Sequence, residues 1–252
     1  MRKTFCICAL MFLMSGMLSS CGASGAAKIT DEFTSILNKP ASEQNIESAE
    51  SFLKANLTRL NDEQAGELLL LWEEYALNYD NTGVDYTRLI AEYEGEIPDY
   101  LTEMFGYKAF EQNDPIIFDA TLQVDSVELV SRTLELEDFI VAHRDDQLIQ
   151  NDALWLYKRY VNAVLMGASN SPVFDYETRE FSPQLLDVYD TVISERPDSA
   201  LAAVLAEYED YLAELGYILE YDRKEESAKF FETCDRLVSE AELRIYGAEQ
   251  TH

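Results

Sequence analysis

Histidine is nearly absent from this sequence of 252 residues, which contains only His143 and the terminal His252. Two histidines cannot build a multi-histidine metal site, and neither stands in the pattern of a histidine-based catalytic triad. Long hydrophobic runs are also missing after the first 20 residues, so no later segment has the roughly 18 apolar residues of a membrane-spanning helix. These absences favour a non-catalytic protein with no cofactor and no metal site, although another kind of enzyme stays open.

Basic residues are scarce as well, because 19 lysines and arginines stand against 48 aspartates and glutamates, for a net charge of −29. Such a surface repels polyanions and anionic headgroups, which excludes nucleic acid as a partner. It could attract cationic peptides, polyamines or divalent cations, or it could simply keep the domain hydrated. Acidity does not predict disorder here, because 47% of the residues are hydrophobic and 12% are aromatic.

The N-terminus has the most specific pattern in the chain. Two basic residues precede an apolar run over residues 5–18, and small residues follow in Leu18-Ser19-Ser20-Cys21. This is the layout of a secretory signal, and its apolar core is too short to span a bilayer. The ending resembles the lipobox of bacterial lipoproteins. The resemblance covers residues 1–21 and implies a signal peptide over residues 1–20, cleavage before Cys21, and acyl chains such as palmitate on Cys21.

The resemblance also implies a location. The mature chain would have 232 residues and a net charge of −31. Each buried CH₂ of an acyl chain contributes about 0.8 kcal/mol, so two or more chains hold a protein durably on the cell membrane or outer membrane, on its extracytoplasmic side. Residues 21–28 would be the acylated cysteine and a short tether, and residues 29–252 the folded domain. The alternative is an ordinary secretory signal with a chance cysteine.

Helical periodicity dominates residues 29–252. The clearest apolar stripe lies between Asp198 and Tyr221, and a second stripe follows Asp222, so the two predict an antiparallel helical hairpin. Further helices are predicted over residues 42–60, 62–79, 100–110, 118–142, 152–166 and 183–195. Since no sustained alternation of period two appears, the predicted class is all-α, a helical bundle or helical-repeat-like body. The second stripe consists of Phe230, Cys234, Leu237, Ala241 and Ile245.

Weak internal similarity predicts a duplication within this body. Leu69-Leu70-Leu71-Trp72 resembles Leu154-Trp155-Leu156-Tyr157, and further pairs keep the same order at similar offsets. The first repeat unit would cover residues 30–113 and the second residues 118–222, with a final helix over residues 223–246. Cleavage of the signal would remove Cys6 and Cys8 and acylation would occupy Cys21, so Cys234 would have no disulfide partner.

One connection between predicted helices is unusually long and aromatic. Residues 167–181 are rich in turn-forming residues yet contain three aromatic side chains, and long connections of this kind are often functional. Residues 80–88 are their counterpart in the first repeat unit. We name the two equivalent groups the Asp85 corner and the Asp175 corner. The candidate ligand-binding residues are Asp85, Tyr86 and Arg88 in the first, and Asn170, Phe174, Asp175, Tyr176 and Arg179 in the second.

Two interpretations of these corners compete. In the structural one, the aspartate caps the following helix, the tyrosine fills the space between helices and the arginine neutralises nearby acids. In the functional one, arginine and tyrosine bind a carboxylate or a sugar. Elsewhere, His143 is expected at a helix C-terminus and Cys234 as a buried, inert thiol.

The sequence therefore predicts an envelope-anchored lipoprotein that binds an unknown protein, peptide or small molecule at the membrane surface. Two alternatives stay open. One is an envelope hydrolase that acts through carboxylates, and the other is an acidic shield that sequesters cationic peptides.

Overall fold

The computed structural model describes residues 23–80 and 83–247, so the predicted signal peptide and Cys21 lie outside the described residues. The described part of the chain forms ten α-helices and two short hairpins, which confirms the predicted all-α class. Among these ten, no helix combines the length and the apolar character needed to cross a membrane. The helices are α1 Ala23–Leu37, α2 Glu43–Asn56, α3 Asp62–Tyr79, α4 Tyr86–Tyr93, α5 Asp99–Asn113, α6 Ser126–Ala142, α7 Gln150–Met166, α8 Pro183–Glu195, α9 Ala200–Glu214 and α10 Lys224–Gly247.

The chain divides into two compact units. The first unit contains the described residues up to Val84 together with Gly95–Pro98, and the second contains Asp85–Glu94 and the chain from Asp99 onward. These bounds differ from those of the predicted repeat units, and the duplication itself stays a prediction.

In the first unit, α1, α2 and α3 pack around an aromatic core. The Phe33 ring of α1 stacks on the Phe52 ring of α2, with centroids 5.8 Å apart. From α3, the Trp72 indole N–H donates to the Ile46 carbonyl at 3.4 Å and the Tyr75 hydroxyl donates to the Lys39 carbonyl at 3.0 Å. The indole N–H and the tyrosine hydroxyl in this core are therefore both hydrogen-bonded, as is usual for buried tryptophan and tyrosine.

In the second unit, a buried carboxylate joins three helices. Glu137 of α6 is 3% exposed and accepts hydrogen bonds from the Tyr157 hydroxyl of α7 at 2.6 Å and from the backbone N–H groups of Ala200 and Leu201 at 2.6 and 3.0 Å. Those two N–H groups begin α9, where the helix dipole favours a negative charge. Glu137 therefore fixes the start of α9 against α6 and α7.

The predicted C-terminal hairpin is present with one correction. The stripe of α10 is fully buried, including Cys234, and burial raises the pKa of its thiol to about 12, in agreement with an inert cysteine. The first helix of the hairpin ends at Glu214 rather than near Tyr221. Gly216 and Tyr217 have φ of +65° and +59°, a left-handed conformation that ends a helix. Leu219 fits the helical spacing and is buried, but it lies in a non-helical segment.

Three other segments differ from the prediction. Residues 23–28, predicted as part of a tether, lie in α1, and neither α1 nor α4 was predicted as a helix. The helix predicted from residue 118 begins only at Ser126, because residues 117–122 form a hairpin of β1, Ile117–Phe118, and β2, Thr121–Leu122. Its turn uses Asp119 and Ala120 at positive φ, which helix periodicity does not reveal. His143 is the C-cap residue of α6, as predicted.

Candidate functional site

The Asp85 corner lies at the start of α4. The Asp85 carboxylate caps the helix by accepting from the Arg88 N–H at 3.0 Å. The Tyr86 ring lies 5.8 Å from the Phe105 ring, and Arg88 forms an ion pair with Glu92 at 3.1 Å. These are the contacts that the structural interpretation of this corner expects. Ligand binding by the corner stays a prediction.

The Asp175 corner is a tight turn rather than a helix start. The Asp175 carboxylate accepts from the N–H groups of Glu177 and Thr178 at 2.8 and 2.7 Å, and these bonds lower its pKa. Arg179 has φ of +66° and forms an ion pair with Glu220 at 3.3 Å. The Tyr176 side chain is 59% exposed. Aspartate and arginine therefore stabilise the turn, whereas the tyrosine is presented to solvent.

The other two predicted residues of this connection have different surroundings. Phe174 is fully buried, with its ring 5.2 Å from Phe181 and 5.5 Å from Phe230 of α10. Phe174 therefore packs the connection against α10. The Asn170 side chain donates to the Asp119 carbonyl at 3.1 Å, and its backbone N–H donates to the Ala120 carbonyl at 2.7 Å. Asn170 thereby joins the hairpin of β3, Gly167–Ala168, and β4, Ser171–Pro172, to the β1–β2 hairpin.

Further contacts join this region to the segment that follows α9. The Tyr176 hydroxyl donates to the Ser169 carbonyl at 2.8 Å, and its ring lies 5.4 Å from that of Tyr221. Leu219 donates its N–H to the Arg179 carbonyl at 3.0 Å. We call residues 117–122, 167–182 and 216–221 together the loop end of the second unit. The sequence singled out residues 167–181. It did not identify the other two segments, because their apolar spacing predicts helices.

A groove opens beside the loop end, between β2, β4 and the first turns of α6 and α8. Its volume is about 290 Å³. The rim has the hydroxyls of Ser126, Ser171 and Ser182 and the amide of Gln184, and the Ser182 hydroxyl makes no capping bond to α8. We call this the loop-end groove. Its floor is apolar and consists of Leu122, Leu129, Val130, Ala163, Val164, Val173, Leu185 and the ring of Tyr189.

The surroundings of the groove are strongly acidic. Residues 117–129 contain three acids, of which Glu128 is paired with Arg132 at 2.8 Å, and residues 167–187 contain four acids and one base, Arg179, which is paired with Glu220. Asp125 is the only acid among the lining residues in the described part of the chain, and its carboxylate caps α6 by accepting from the Glu128 N–H at 2.9 Å. The groove thus combines an apolar floor, a polar rim and a negative periphery.

The two carboxyl groups with a raised pKa among the described residues lie outside this groove. Partial burial raises the pKa of Glu67 in the first unit, with a smaller contribution from Glu63, and that of Glu209 in α9, where Asp190 and Asp210 add to the effect. Neither glutamate lines the groove. Over residues 23–80 and 83–247, no three His, Cys, Asp or Glu side chains form a group that could hold a metal ion. An apolar cavity with a few polar groups at its edge is the common form of a ligand-binding pocket.

The fold and this site define an all-α protein with an apolar groove between helix starts and hairpins. No family model matches the chain, and neither the comparison with curated proteins nor that with solved structures found a similar one. A fold alone does not specify a function, so the site is what indicates it.

Proposed function

We propose that this protein is an envelope-anchored lipoprotein that binds a peptide segment of a partner in the loop-end groove. The observation that carries this proposal is the apolar floor of the groove beneath a rim of hydroxyl and amide groups. The lipobox-like sequence ending at Cys21 supports the location. We favour binding over hydrolysis. Hydrolysis through carboxylates requires two carboxyl groups that face the same substrate, whereas Asp125 is the single carboxylate among the described residues that line the groove.

The chemistry of the groove indicates what kind of segment fits. An apolar side chain on the floor gains about 25 cal/mol for each Å² removed from water. The rim residues Ser171, Ser182 and Gln184 can bond to the backbone of an extended peptide. The acids around the groove favour lysine or arginine beside the apolar residue, because complementary charge accelerates and selects association. Attraction of cationic peptides, which the acidic-shield alternative predicts, would then be a property of this groove.

Two leucines on α8 provide the direct test of the groove. Leu185 lines the floor, whereas its neighbour Leu186 is similarly half-buried and does not. The probe is a fluorescein-labelled heptapeptide with one central phenylalanine flanked by lysines, titrated against the mature protein by fluorescence anisotropy. We expect Leu185→Ala to weaken binding about tenfold, since losing contact with a leucine side chain costs about 1.4 kcal/mol. Leu186→Ala should leave affinity unchanged, and equal effects of the two variants would reject the groove.

The anchor has its own test. Mass spectrometry of the N-terminal peptide from the membrane fraction should show a diacylated or triacylated Cys21. Cys21→Ser should remove acylation and release the protein from membranes after export. A mature N-terminus at any other residue would reject the lipoprotein assignment while leaving the groove proposal standing.

A further inference from the structure

The two tryptophans of this chain lie in opposite environments. Trp72 is 1% exposed in the core of the first unit, whereas Trp155 on α7 is 63% exposed. A tryptophan side chain is large and apolar with a polar N–H, and tryptophan is enriched where proteins bind partners. Trp155 stands beside an open depression of about 480 Å³ between α7 and Val238 of α10.

The side chains around Trp155 follow one face of α7. Asn151, Lys158, Arg159 and Asn162 line the same depression, at spacings of three, four and seven residues from Trp155. From Asn151 to Asn162 the helix rises about 16 Å, at about 1.5 Å per residue. We call these five residues the Trp155 face. It offers an aromatic ring between two amides, with two cationic side chains beside it.

The two cations of the Trp155 face are already neutralised. Lys158 forms an ion pair with Glu242 at 2.8 Å, and Arg159 with Glu111 at 2.8 Å. The Arg159 guanidinium also lies 5.8 Å from the centre of the Trp155 ring system. Because each positive charge has its own carboxylate, the face is close to neutral. The guanidinium and ammonium keep N–H groups that can donate to a ligand, as do the two amides.

We propose that the Trp155 face binds a neutral carbohydrate, with a sugar ring against the exposed side of the indole. The apolar face of a pyranose covers an aromatic surface, and its hydroxyls match the donors and acceptors of Asn151, Asn162 and Arg159. An anionic glycan fits less well, because the chain as a whole has a net charge of −29 and the local cations are paired. This site is separate from the loop-end groove and does not depend on it.

The chain provides its own spectroscopic reporter for this proposal. In the Trp72→Phe variant, Trp155 is the single tryptophan, and a sugar that covers it should shift its emission to the blue in a saturable way. The probes are chitotetraose and maltotetraose, two neutral oligosaccharides. Isothermal titration calorimetry with the unaltered chain gives the same affinity independently, should the core substitution impair folding.

The variants separate the Trp155 face from other exposed aromatics. We expect Trp155→Ala to weaken oligosaccharide binding more than tenfold and Asn162→Ala about threefold to tenfold by calorimetry. Phe118→Ala is the matched control, because Phe118 is 67% exposed at the loop end, and it should change nothing.

Three outcomes would overturn the assignment. The first is that neither oligosaccharide binds at millimolar concentration in either measurement. The second is that the lysine-flanked peptide, and not a sugar, shifts the Trp155 emission, which would make this face a peptide-docking surface. The third is that tetragalacturonate, an anionic tetrasaccharide, binds more tightly than both neutral probes and loses affinity with salt.

Discussion

The loop-end groove and the Trp155 face belong to the same unit of one acidic chain, yet they differ in construction and in charge. The groove is assembled from β2, β4, α6, α7 and α8, with an apolar floor, and Asp125 is the acid among its described lining residues. The Trp155 face comes almost entirely from one helix, and its cations are paired with glutamates. A strongly negative net charge therefore does not determine the chemistry of each surface. The local pairing of charges does.

The largest expected effect removes the framework that both sites share. Glu137→Ala leaves the Tyr157 hydroxyl and two N–H groups of α9 without their acceptor inside the core. We expect the free energy of unfolding to fall by about 3 kcal/mol or more, because unsatisfied buried groups cost about 1–3 kcal/mol each. Chemical denaturation measures this loss, and both sites should weaken together.

Glu135→Ala is the matched control for that change. Glu135 lies on the same helix but is exposed, so its loss should change the free energy of unfolding by less than about 0.5 kcal/mol. If the two variants were equally stable, the role assigned to Glu137 in joining α6, α7 and α9 would be wrong.

Salt should separate the two sites by about an order of magnitude. Raising the ionic strength from about 0.05 to 0.5 M screens the acids around the groove, since the Debye length falls to a few ångströms. We expect the lysine-flanked peptide to lose about tenfold in affinity, measured by anisotropy. Chitotetraose binding should stay constant in calorimetry under the same conditions. A parallel decrease for both probes would contradict the charge difference between the sites.

Substitution of one rim residue should change peptide affinity by a smaller factor and leave oligosaccharide affinity unchanged. Gln184 is exposed at the groove and lies in the first turn of α8. Gln184→Arg should weaken the lysine-flanked peptide about twofold to fivefold by like-charge repulsion, and Gln184→Glu should strengthen it by a similar factor. Neither variant should affect oligosaccharide binding. Effects of the same sign for both substitutions would indicate a steric cause instead.

The smallest effect on either site is expected at Cys234. Its residue neighbours on α10 include Phe230, which contacts Phe174 beneath the loop end, and Val238, which lines the other depression. Burial raises the thiol pKa from 9.0 to about 12, so the stabilising contribution of the neutral thiol is complete below pH 9 and is lost as pH rises toward 12.

Labelling with a thiol reagent at pH 8 should therefore be slow and should follow global unfolding. Saturation with the peptide or the sugar should slow it only through the added stability. Rapid labelling of the native protein would show that α10 opens locally, and a difference between the two ligands would show which site governs that opening.

Much of the helical architecture could be predicted from local pattern. The bounds of α8 follow from Pro183 at its start, and the buried stripe of α10 follows from apolar spacing. The end of α9 could not be predicted in this way. Leu219 fits the helical spacing and is buried, although the chain has already left the helix through a left-handed turn. The groove itself was not predicted. Composition singled out the connection that supplies Ser171, Pro172 and Val173 to its lining, but none of the eight candidate ligand-binding residues lines the groove, which also needs β2, α6, α7 and α8.

Other features gave no usable signal. Trp155 has the same spacing as core residues, and only the packed structure distinguishes it from the buried Trp72. Likewise, Glu137 is one of 48 acids, and nothing in its local sequence indicates that it meets the start of a helix 63 residues later.

The sequence by itself determined the all-α class and the position of most helices, and it predicted a buried Cys234 and an acylated Cys21, because each of these depends on residues close together in the chain. Only the tertiary structure decided which carboxylate is buried, which tryptophan meets solvent, and where an apolar groove opens. Those outcomes depend on contacts between distant segments, and burial and charge pairing are properties of such contacts rather than of any one residue.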